Sequence, residues 1–460
     1  MKKQGRLVVE RLESKRLLSV VPNDARVDSQ WSIKSLSLNQ AWQYSTGSKD
    51  VVVAVIDSGI DLNHEDLRNN VWKNIGEIAN NGIDDEGNGF IDDVNGWNFF
   101  SNTNNVQDNY GHGTHVAGII GAQGNNSLGV AGINWNVSIM PLKCISDVGT
   151  GWLSSTLAAI DYVLMMKNTF HVNIVVVNNS WNSGPGFSLV VDNRIKLLND
   201  SNIIFVSAAG NNNTDNDISP TYPGSYNQPN VINVASLSSE TNGLTRSSNY
   251  GKTTVDIAAP GSVILSTLSH NTYGYLSGTS MAAPQVAGAV ALLNAVKPHI
   301  TVAETIDAIF SEVDKIPELL NKVVTNGKLN IAASVFKVLG MKYEHTTISN
   351  PVVVVVPKVI APIAKVESFS LTRVRGWAFS SKYGASPVIV RVVINNRVVA
   401  TQWANQFKSG LYKTVGSSKH GFNISLNPRW FKKGYNNVSL QVLDPVSKQV
   451  SIVWTGRVRR

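Results

Sequence analysis

The sequence predicts an α/β fold with a parallel sheet, followed by a small all-β domain, and three observations support this prediction. Short apolar, β-branched runs between polar loops are typical of buried parallel strands. They occur at Val51–Ile56, Val172–Val177 and Ile203–Ser207. Helical stretches alternate with such runs. They occupy His112–Gly121, Leu153–Lys167 and Ser280–Ala295. Near the C-terminus the apolar period becomes two, which is typical of a small β-sandwich. These segments are Val388–Val393, Arg397–Gln402 and Asn437–Leu443.

Length and charge divide the chain in the same way. Its 460 residues are enough for one large domain and a smaller one. Residues 341–460 contain 18 Lys and Arg against three acids, a net charge of +15, whereas the rest carries −7. Opposite charges indicate two domains with different partners. We therefore expect an α/β domain at 23–340, a linker rich in Pro and Val at 341–368, and a basic β domain at 369–460.

Composition excludes several classes of protein. Hydrophobic residues make up 43% and charged residues 16%, which is unlike a mostly disordered chain. No apolar run reaches the roughly 18–20 residues of a membrane helix, so we expect no membrane span. The single cysteine excludes an internal disulfide and fits either side of a membrane.

The first 22 residues are basic and lack the apolar core of an ordinary secretory signal. Within them, Leu12–Ser19 resembles the LEPR-x-LL motif at the N-terminus of exported planctomycete proteins. This resemblance predicts an export segment at 1–22 and an extracellular or cell-surface location. The alternative is a frayed basic arm.

Three segments of the α/β region each place a catalytic residue type at the end of a predicted element. Asp57 follows a strand in Val-Ile-Asp-Ser-Gly, and His112 begins a helix in Gly-His-Gly-Thr-His. Ser280 begins another helix in Gly-Thr-Ser-Met-Ala-Ala-Pro. A serine hydroxyl needs an adjacent base, and a carboxylate holds that base in the correct tautomer. The order Asp, His, Ser is one of the known orders of the serine-protease triad.

These motifs together resemble the subtilisin-like serine proteases, the subtilase family, over about residues 28–340. The resemblance implies a three-layer, parallel-sheet subtilisin-like domain and a serine endopeptidase that works through an acyl-enzyme. Asp57, His112 and Ser280 would form the triad, and Asn211 in Ser-Ala-Ala-Gly-Asn would be the oxyanion-hole asparagine. Only 27 residues precede Asp28, so we expect no room for the chaperoning propeptide of many secreted subtilases.

The same resemblance places the substrate-binding residues on three segments. They are Ser180, Trp181, Asn182, Ala208, Gly210 and Thr221. Trp181 stands where the family often has leucine, and Thr221 stands where it often has glycine at the floor of the first specificity pocket. Both departures argue against a deep pocket for aromatic side chains. We therefore expect a preference for small to medium apolar P1 residues.

Two further reactive residue types are predicted to have no chemical role. His115 lies three residues after His112, but no HExxH pattern is present, and the family treats this histidine as structural. Cys144 follows a predicted strand, and a buried, inert thiol is the interpretation we favour.

An acidic loop between Lys73 and Lys143 contains seven carboxylates and no Lys or Arg. Like charges at that density repel one another unless they are solvated or bridged by a cation. The spacing from Asp84 follows the first eight positions of an EF-hand loop, although Asn95 replaces the final carboxylate. The predicted calcium ligands are Asp84, Glu86, Asn88, Asp92 and Asp93. A solvated loop without metal is the alternative. No organic cofactor is expected.

The basic C-terminal domain suggests a function of another class, in which the chain is mainly an attachment protein. Its charge would suit an anionic surface or a polysaccharide, whereas no nucleic-acid recognition motif accompanies it. Its tryptophans could bind sugars, but we expect them to be core aromatics of the small sandwich. They are Trp377, Trp403, Trp430 and Trp454.

Overall fold

A computed structural model describes residues 20–241, 243–345, 363–379, 388–395, 397–406, 421–443 and 450–460. The predictions of an export segment at 1–22 and a linker at 341–368 fall mostly outside these residues.

Eleven strands lie in the described residues before 345, and the long ones are almost fully buried. They are β1 (Gly47–Asp57), β2 (Trp97–Asn98), β3 (Asn136–Lys143), β4 (Ile174–Asn179), β5 (Ile204–Ala208), β6 (Val231–Leu237), β7 (Ile257–Pro260), β8 (Ile264–Leu268), β9 (Thr272–Leu276), β10 (Asp314–Lys315) and β11 (Gly327–Lys328). β8 and β9 pair with each other as a separate hairpin. The other nine described strands form one sheet.

The strand order of this sheet is β10-β11-β7-β6-β5-β4-β1-β3-β2. β1 lies near the point where the strand order reverses. Every neighbouring pair is parallel except β10 and β11. From β1 the chain reaches β3 on one side and then returns to β4 on the other side. In parallel sheets such a switch opens a crevice at the carboxyl ends of the strands, where ligands bind. The fold therefore provides a site next to Asp57.

Helices cover both faces of the sheet, which confirms the predicted three-layer α/β architecture. The described helices of this domain are α1 (Trp31–Ser35), α2 (Leu38–Ala41), α3 (His112–Gly121), α4 (Leu153–Asn168), α5 (Leu189–Asp200), α6 (Thr279–Val296), α7 (Val302–Ser311) and α8 (Ile331–Val338). Apolar residues of α3 and α6 share one core with Val51, Val53 and Val55 of β1. Those of α4 and α5 share a second core with the alternate residues of the same strand.

One described helix, α6, is long and apolar enough to cross a membrane by composition alone. In this fold 83% of it is buried, between α3 and the strands β1 and β4 to β7. It is the core helix of the sheet domain.

The described residues from 363 onward form antiparallel sheets, which confirms the predicted all-β domain. The strands are β12 (Ile363–Phe369), β13 (Arg373–Phe379), β14 (Ile389–Ile394), β15 (Arg397–Trp403), β16 (Gly421–Ser425), β17 (Tyr435–Leu443) and β18 (Val450–Arg459). Within these ranges the strand orders are β12-β13-β16 and β15-β14-β17-β18. β12 lies largely within 341–368, which the sequence predicted to be linker.

The prediction that the tryptophans of this domain belong to its core is wrong for two of them. Trp403 and Trp430 are 46% and 41% exposed, and Trp377 is half-buried. The side chain of Trp454 lies outside the described part of the chain. Aliphatic residues of both sheets, with Phe422 and Phe431, fill the core instead.

Candidate active site

The predicted catalytic residues lie on elements that meet at the carboxyl edge of the sheet. Asp57 is the last residue of β1, and Asn211 follows β5 by three residues. His112 and Ser280 lie in the first turns of α3 and α6, which pack against each other. Strand ends and helix starts are thus brought together, although more than 200 residues separate Asp57 from Ser280 along the chain.

Asp57 and His112 form a direct hydrogen bond. Nδ1 of His112 lies 2.8 Å from Oδ1 of Asp57, which also accepts a 2.7 Å bond from the backbone N–H of Ser58. The Asp57 carboxylate is fully buried, and the His112 side chain is 22% exposed. A carboxylate at Nδ1 selects the tautomer that has its proton on that atom. Nε2 of His112 is therefore free to accept a proton.

The electrostatic surroundings of His112 favour its protonated form. Burial alone would lower its pKa, but the charge of Asp57, the hydrogen bond with Asp57 and the charge of Asp108 act the other way. The net result is a pKa raised above the ordinary 6.5.

Asp108, which the sequence analysis did not assign to the site, anchors the helix that carries His112. Its buried carboxylate accepts hydrogen bonds from the backbone N–H groups of Tyr110, Gly111 and Thr114, each at 2.9 Å. The hydroxyls of Ser58 and Thr114 donate to it as well, at 3.0 and 2.6 Å. A carboxylate is favourable at a helix N-terminus because free N–H groups point there. In the sequence, its position four residues before His112 is the feature that could have pointed to this role.

The glycine after His112 allows α3 to approach β1 closely. A Cβ atom at Gly113 would lie 2.2 Å from the carbonyl oxygen of Gly59 and 3.2 Å from Cβ of Asp57. The N–H of Gly113 donates to Oγ of Ser58 at 2.9 Å. A larger residue would displace the helix and separate His112 from Asp57.

Asn211 is attached to the helix turn that contains Ser280. Its Oδ1 accepts hydrogen bonds from the backbone N–H of Thr279, at 2.9 Å, and from the Thr279 hydroxyl, at 3.2 Å. With Oδ1 occupied in this way, Nδ2 is the atom that can donate to a ligand. The neighbouring Ser280 is half-buried. The arrangement brings an amide donor and a hydroxyl to the same helix start.

The predicted substrate-binding segments surround the same edge. The indole N–H of Trp181 donates to the carbonyl of Ile56 at 3.1 Å, which fixes the ring beside the end of β1. The backbone N–H of Ser183 donates to Tyr222 at 2.8 Å, and that of Tyr222 donates to Gly184 at 2.9 Å. These bonds join the segment containing Ser180 and Asn182 to the one containing Thr221.

A buried amide network, which the sequence analysis missed, lies beneath these segments. The Thr221 hydroxyl donates to Oδ1 of Asn216 at 3.3 Å and accepts from Nδ2 of Asn249 at 3.4 Å. Asn216 and Asn249 are fully buried and joined at 3.0 Å, and Asn216 also donates to the carbonyl of Ala209. Gly210 has φ +113°, and its missing Cβ leaves room for the Asn249 amide.

The structure confirms the predictions for His115 and Cys144. Nε2 of His115 contacts two backbone carbonyls, of Ile264 at 3.0 Å and Gly274 at 3.2 Å. Burial and the nearby His112 lower the pKa of His115 to about 3, so this ring stays neutral. Cys144 is buried, and burial raises the pKa of its thiol. Neither residue has the properties of a catalytic group.

The acidic loop brings three carboxylates to one point. One oxygen each from Glu77, Asp84 and Glu86 lie within 4.8 Å of one another. Oε2 of Glu86 is buried and has no hydrogen-bond partner in the described structure. Burial, with the nearby Glu77 and Asp93, raises the pKa of Glu86 to about 7. Three converging hard oxygen ligands fit Ca²⁺.

Only two of the five predicted calcium ligands belong to this group, and Glu77 was not among those predicted. Both oxygens of Asp92 accept backbone N–H bonds, from Asn81 and Gly82. Asp93 is buried and accepts from the amides of Asn74 and Asn88 and from the hydroxyl of Tyr162. The spacing prediction missed Glu77 because the loop folds back and brings this residue alongside Asp84.

Comparisons with known proteins agree with this architecture. A profile described as the subtilase family, peptidase S8, matches residues 48–330. Among solved structures, a protease from Pseudoalteromonas arctica PAMC 21717 is 29% identical, with a TM-score of 0.56, and the match covers 69% of this chain and 99% of that one.

Similar curated proteins are proteases from different organisms. Subtilisin-like protease 1 of Plasmodium berghei (strain Anka) is 33% identical over 342 residues, which cover 70% of this chain and 56% of that protein. The thermophilic serine proteinase of Bacillus sp. (strain AK1) is 34% identical over 284 residues, 59% of each chain. The matched part is thus little more than half the length of these relatives.

Proposed function

The chain belongs to the subtilase family, and we propose on that premise that it is a serine endopeptidase in which Ser280 forms the acyl-enzyme. The observation that carries the proposal is the 2.8 Å bond between His112 and Asp57, at the sheet edge where the helix of Ser280 begins. Protein and peptide chains are the substrates of this chemistry.

In the proposed mechanism His112 acts first as a base and then as an acid. Its Nδ1 is bonded to Asp57, so Nε2 takes the proton of the Ser280 hydroxyl as the oxygen attacks the scissile carbonyl. The imidazolium that forms is stabilised by the Asp57 carboxylate and returns its proton to the leaving amine. A water molecule then hydrolyses the acyl-enzyme by the same steps.

The developing oxyanion would be held by two donors beside Ser280. One is Nδ2 of Asn211, whose Oδ1 is fixed by Thr279. The other is the backbone N–H of Ser280, which lies in the first turn of α6, where N–H groups have no partner within the helix. A neutral amide suits this role because it stabilises negative charge without transferring a proton.

Labelling of the serine tests the proposal. A fluorophosphonate probe should modify the native protein at one site, and Ser280→Ala should remove both the label and peptide hydrolysis. Ser277→Ala, an exposed serine three residues earlier, is the matched control and should keep both. Hydrolysis by a folded Ser280→Ala protein would overturn the assignment.

Substrate selectivity is proposed to depend on Thr221. Its hydroxyl is held by Asn216 and Asn249, and its side chain would shorten the first pocket, with Ser180 to Asn182 and Ala208 to Gly210 as the walls. Small to medium apolar P1 residues should be preferred over Phe and Tyr by about 1–3 kcal/mol in kcat/KM. A peptide library measures this order. Thr221→Ser keeps the hydroxyl and should widen acceptance, whereas a Phe or Tyr optimum in the native protein would contradict the proposal.

A calcium ion is proposed as a structural component of the acidic loop. Glu77, Asp84 and Glu86 would hold it, because their oxygens converge and one oxygen of Glu86 is buried without a partner. The ion would supply the positive charge that this loop lacks between Lys73 and Lys143. An exported location belongs to the same proposal, since calcium is abundant outside cells.

Attachment through the C-terminal sheets is a second candidate function. The observations in its favour are the net charge of +15 on residues 341–460 and the exposure of Trp403 and Trp430. Retention of the full-length Ser280→Ala protein on anionic polymers tests it, and flow-through at low salt would rule it out.

A further inference from the structure

Strand pairing places one side of the four-stranded sheet away from the core of the β domain. Val390, Val392 and Leu440 are buried in the core of the β domain, so the alternate residues of their strands point outward. Arg391 is opposite both Thr401 and Gln441, and Trp403 is opposite Ile389, on that outward side. Asn437 is opposite Arg457, and Tyr435 is opposite Arg459. We define the outer sheet face by Arg391, Thr401, Trp403, Tyr435, Arg457 and Arg459.

The outer sheet face is basic without compensation from its own strands. The four strands β14, β15, β17 and β18 contain four arginines and no Asp or Glu. Three of these arginines, Arg391, Arg457 and Arg459, belong to the face. The planar guanidinium group donates in pairs to carboxylate or sulfate oxygens. The face therefore matches a ligand that carries such groups.

Exposed aromatic rings accompany the arginines. Tyr435 is 59% exposed, and Trp403 is 46% exposed. The guanidinium carbons of Arg457 and Arg459 lie 5.1 and 5.8 Å from the centre of the Tyr435 ring, a distance at which cation–π attraction holds them. Trp403 lies on β15, at the opposite edge of the sheet from β18, three strand spacings or roughly 14 Å across the sheet. It is level with Leu443, and Tyr435 lies at the other end of β17, roughly 26 Å further along the strands. A ligand that touches both edges must be extended.

We propose that the outer sheet face binds an acidic polysaccharide, with Trp403 stacked on a sugar ring and the arginines bonded to its acidic groups. The inference rests on the attachment role proposed for the C-terminal sheets and is independent of proteolysis. Single-stranded nucleic acid fits less well because its bases stack on successive free rings. Here Arg457 and Arg459 cover Tyr435, which leaves Trp403 as the one free ring among the residues that define this face.

The experiment uses the full-length Ser280→Ala protein, which does not digest itself. Its binding to polygalacturonate, neutral dextran and poly(dT) DNA is compared at several salt concentrations. We expect tight binding to polygalacturonate and none to dextran. Arg457→Gln with Arg459→Gln should weaken polygalacturonate binding at least about tenfold, since two charge-assisted hydrogen-bond donors are lost. Trp403→Ala should weaken it at unchanged charge, and Trp403→Tyr should restore it.

The matched control removes the same charge outside the face. Lys432 and Lys433 are exposed and precede β17, so Lys432→Gln with Lys433→Gln should leave binding almost unchanged. Equal losses in the two double variants would overturn the inference, and so would DNA binding as tight as polygalacturonate binding. Absence of binding to any polyanion would instead refute the attachment role itself. Circular dichroism verifies folding, and peptide hydrolysis by the same variants with Ser280 intact should not change.

Discussion

The acids at the carboxyl edge of the sheet, which we call the catalytic edge, and the acids of the loop beside it both accept hydrogen bonds from the chain, but only the loop brings three carboxylates to one point. At the edge, Asp57 and Asp108 are buried, five donors of the chain bond Asp108, and Oδ1 of Asp57 is bonded by Ser58 and His112. In the loop, Glu77, Asp84 and Glu86 bring oxygens within 4.8 Å of one another, and the nearest Lys and Arg in the sequence lie at Arg68, Lys73 and Lys143.

The difference shows two solutions to the cost of gathering carboxylates. Hydrogen-bond donors fixed by β1 and α3 hold the charges at the edge at all times, so this geometry is ready before a ligand arrives. The carboxylates of the loop also accept bonds from the chain, two backbone N–H bonds each for Glu77 and Asp84 and two side-chain amide bonds for Glu86. Three of these carboxylates converge, however, and Oε2 of Glu86 has no partner in the described structure, so we expect a cation to add to the order of the loop. Its stability should therefore vary with the solution, whereas that of the edge should not.

The largest expected effect on activity follows from removing the charge of Asp57. Asp57→Asn should lower kcat by about 10⁴-fold, because the amide favours the wrong tautomer of His112. Steady-state hydrolysis of a chromogenic peptide measures this loss. Asp161→Asn is the control and should stay within about twofold, because Asp161 is an exposed acid on α4 that pairs with Arg194 of α5. A kcat of the Asp57→Asn protein close to that of the native protein would contradict the role assigned to Asp57.

Withdrawing calcium should break the loop while the edge retains its hydrogen bonds. The Ser280→Ala protein should unfold at a lower temperature in chelator than in excess calcium. Binding to the folded state alone adds about 2.7 kcal/mol at a hundredfold excess of calcium over Kd. Thermal unfolding measures the shift.

Two loop variants sharpen this comparison. Glu77→Gln should reduce the calcium shift, whereas Asp85→Asn should keep most of it. Asp85→Asn removes the same charge from the same loop. The oxygens of Asp85 accept bonds from Asn81 and from the backbone N–H of Ile78, and they do not belong to the group formed by Glu77, Asp84 and Glu86. Equal unfolding temperatures with calcium and with chelator would favour a solvated loop without metal.

The smallest expected effect concerns the pH dependence of kcat/KM. Only neutral His112 can accept the serine proton, so kcat/KM should rise with pH through the pKa of His112, which lies above 6.5. Asp57 and Asp108 raise this pKa, and His115 stays neutral beside it. Asp108→Asn should therefore shift the acidic limb of the profile of kcat/KM against pH to lower pH. An unshifted profile would show that Asp108 has only a structural role.

Much of this site could be predicted because its residues lie in short, contiguous motifs. Asp57, His112 and Ser280 each end a strand or begin a helix, and element ends are readable from local sequence. The helix α3 begins and ends at the predicted residues, since glycines mark both ends. The parallel sheet was predictable for the same reason, because its buried strands are continuous apolar runs.

Contacts that depend on the folding of long loops could not be predicted. Glu77 meets Asp84 and Glu86 only because the loop folds back on itself, and no local spacing records that return. Asn216 and Asn249 meet across 33 residues, and each looks like an ordinary turn residue in the sequence. The exposure of Trp403 was missed because alternation identifies two faces of a strand but not which of them is covered.

The amide network that holds Thr221 should limit how the proposed specificity of this protein can change, in evolution or by design. Thr221, Asn216 and Asn249 share three hydrogen bonds in a volume closed to water, and Asn249 occupies the space left by the missing Cβ of Gly210. A change at any one of them leaves another polar group unpaired, at a cost of about 1–3 kcal/mol. If Thr221 sets the first pocket as proposed, we expect new pockets to require paired substitutions, and single-site variation at Thr221 to sample only a narrow range of substrates.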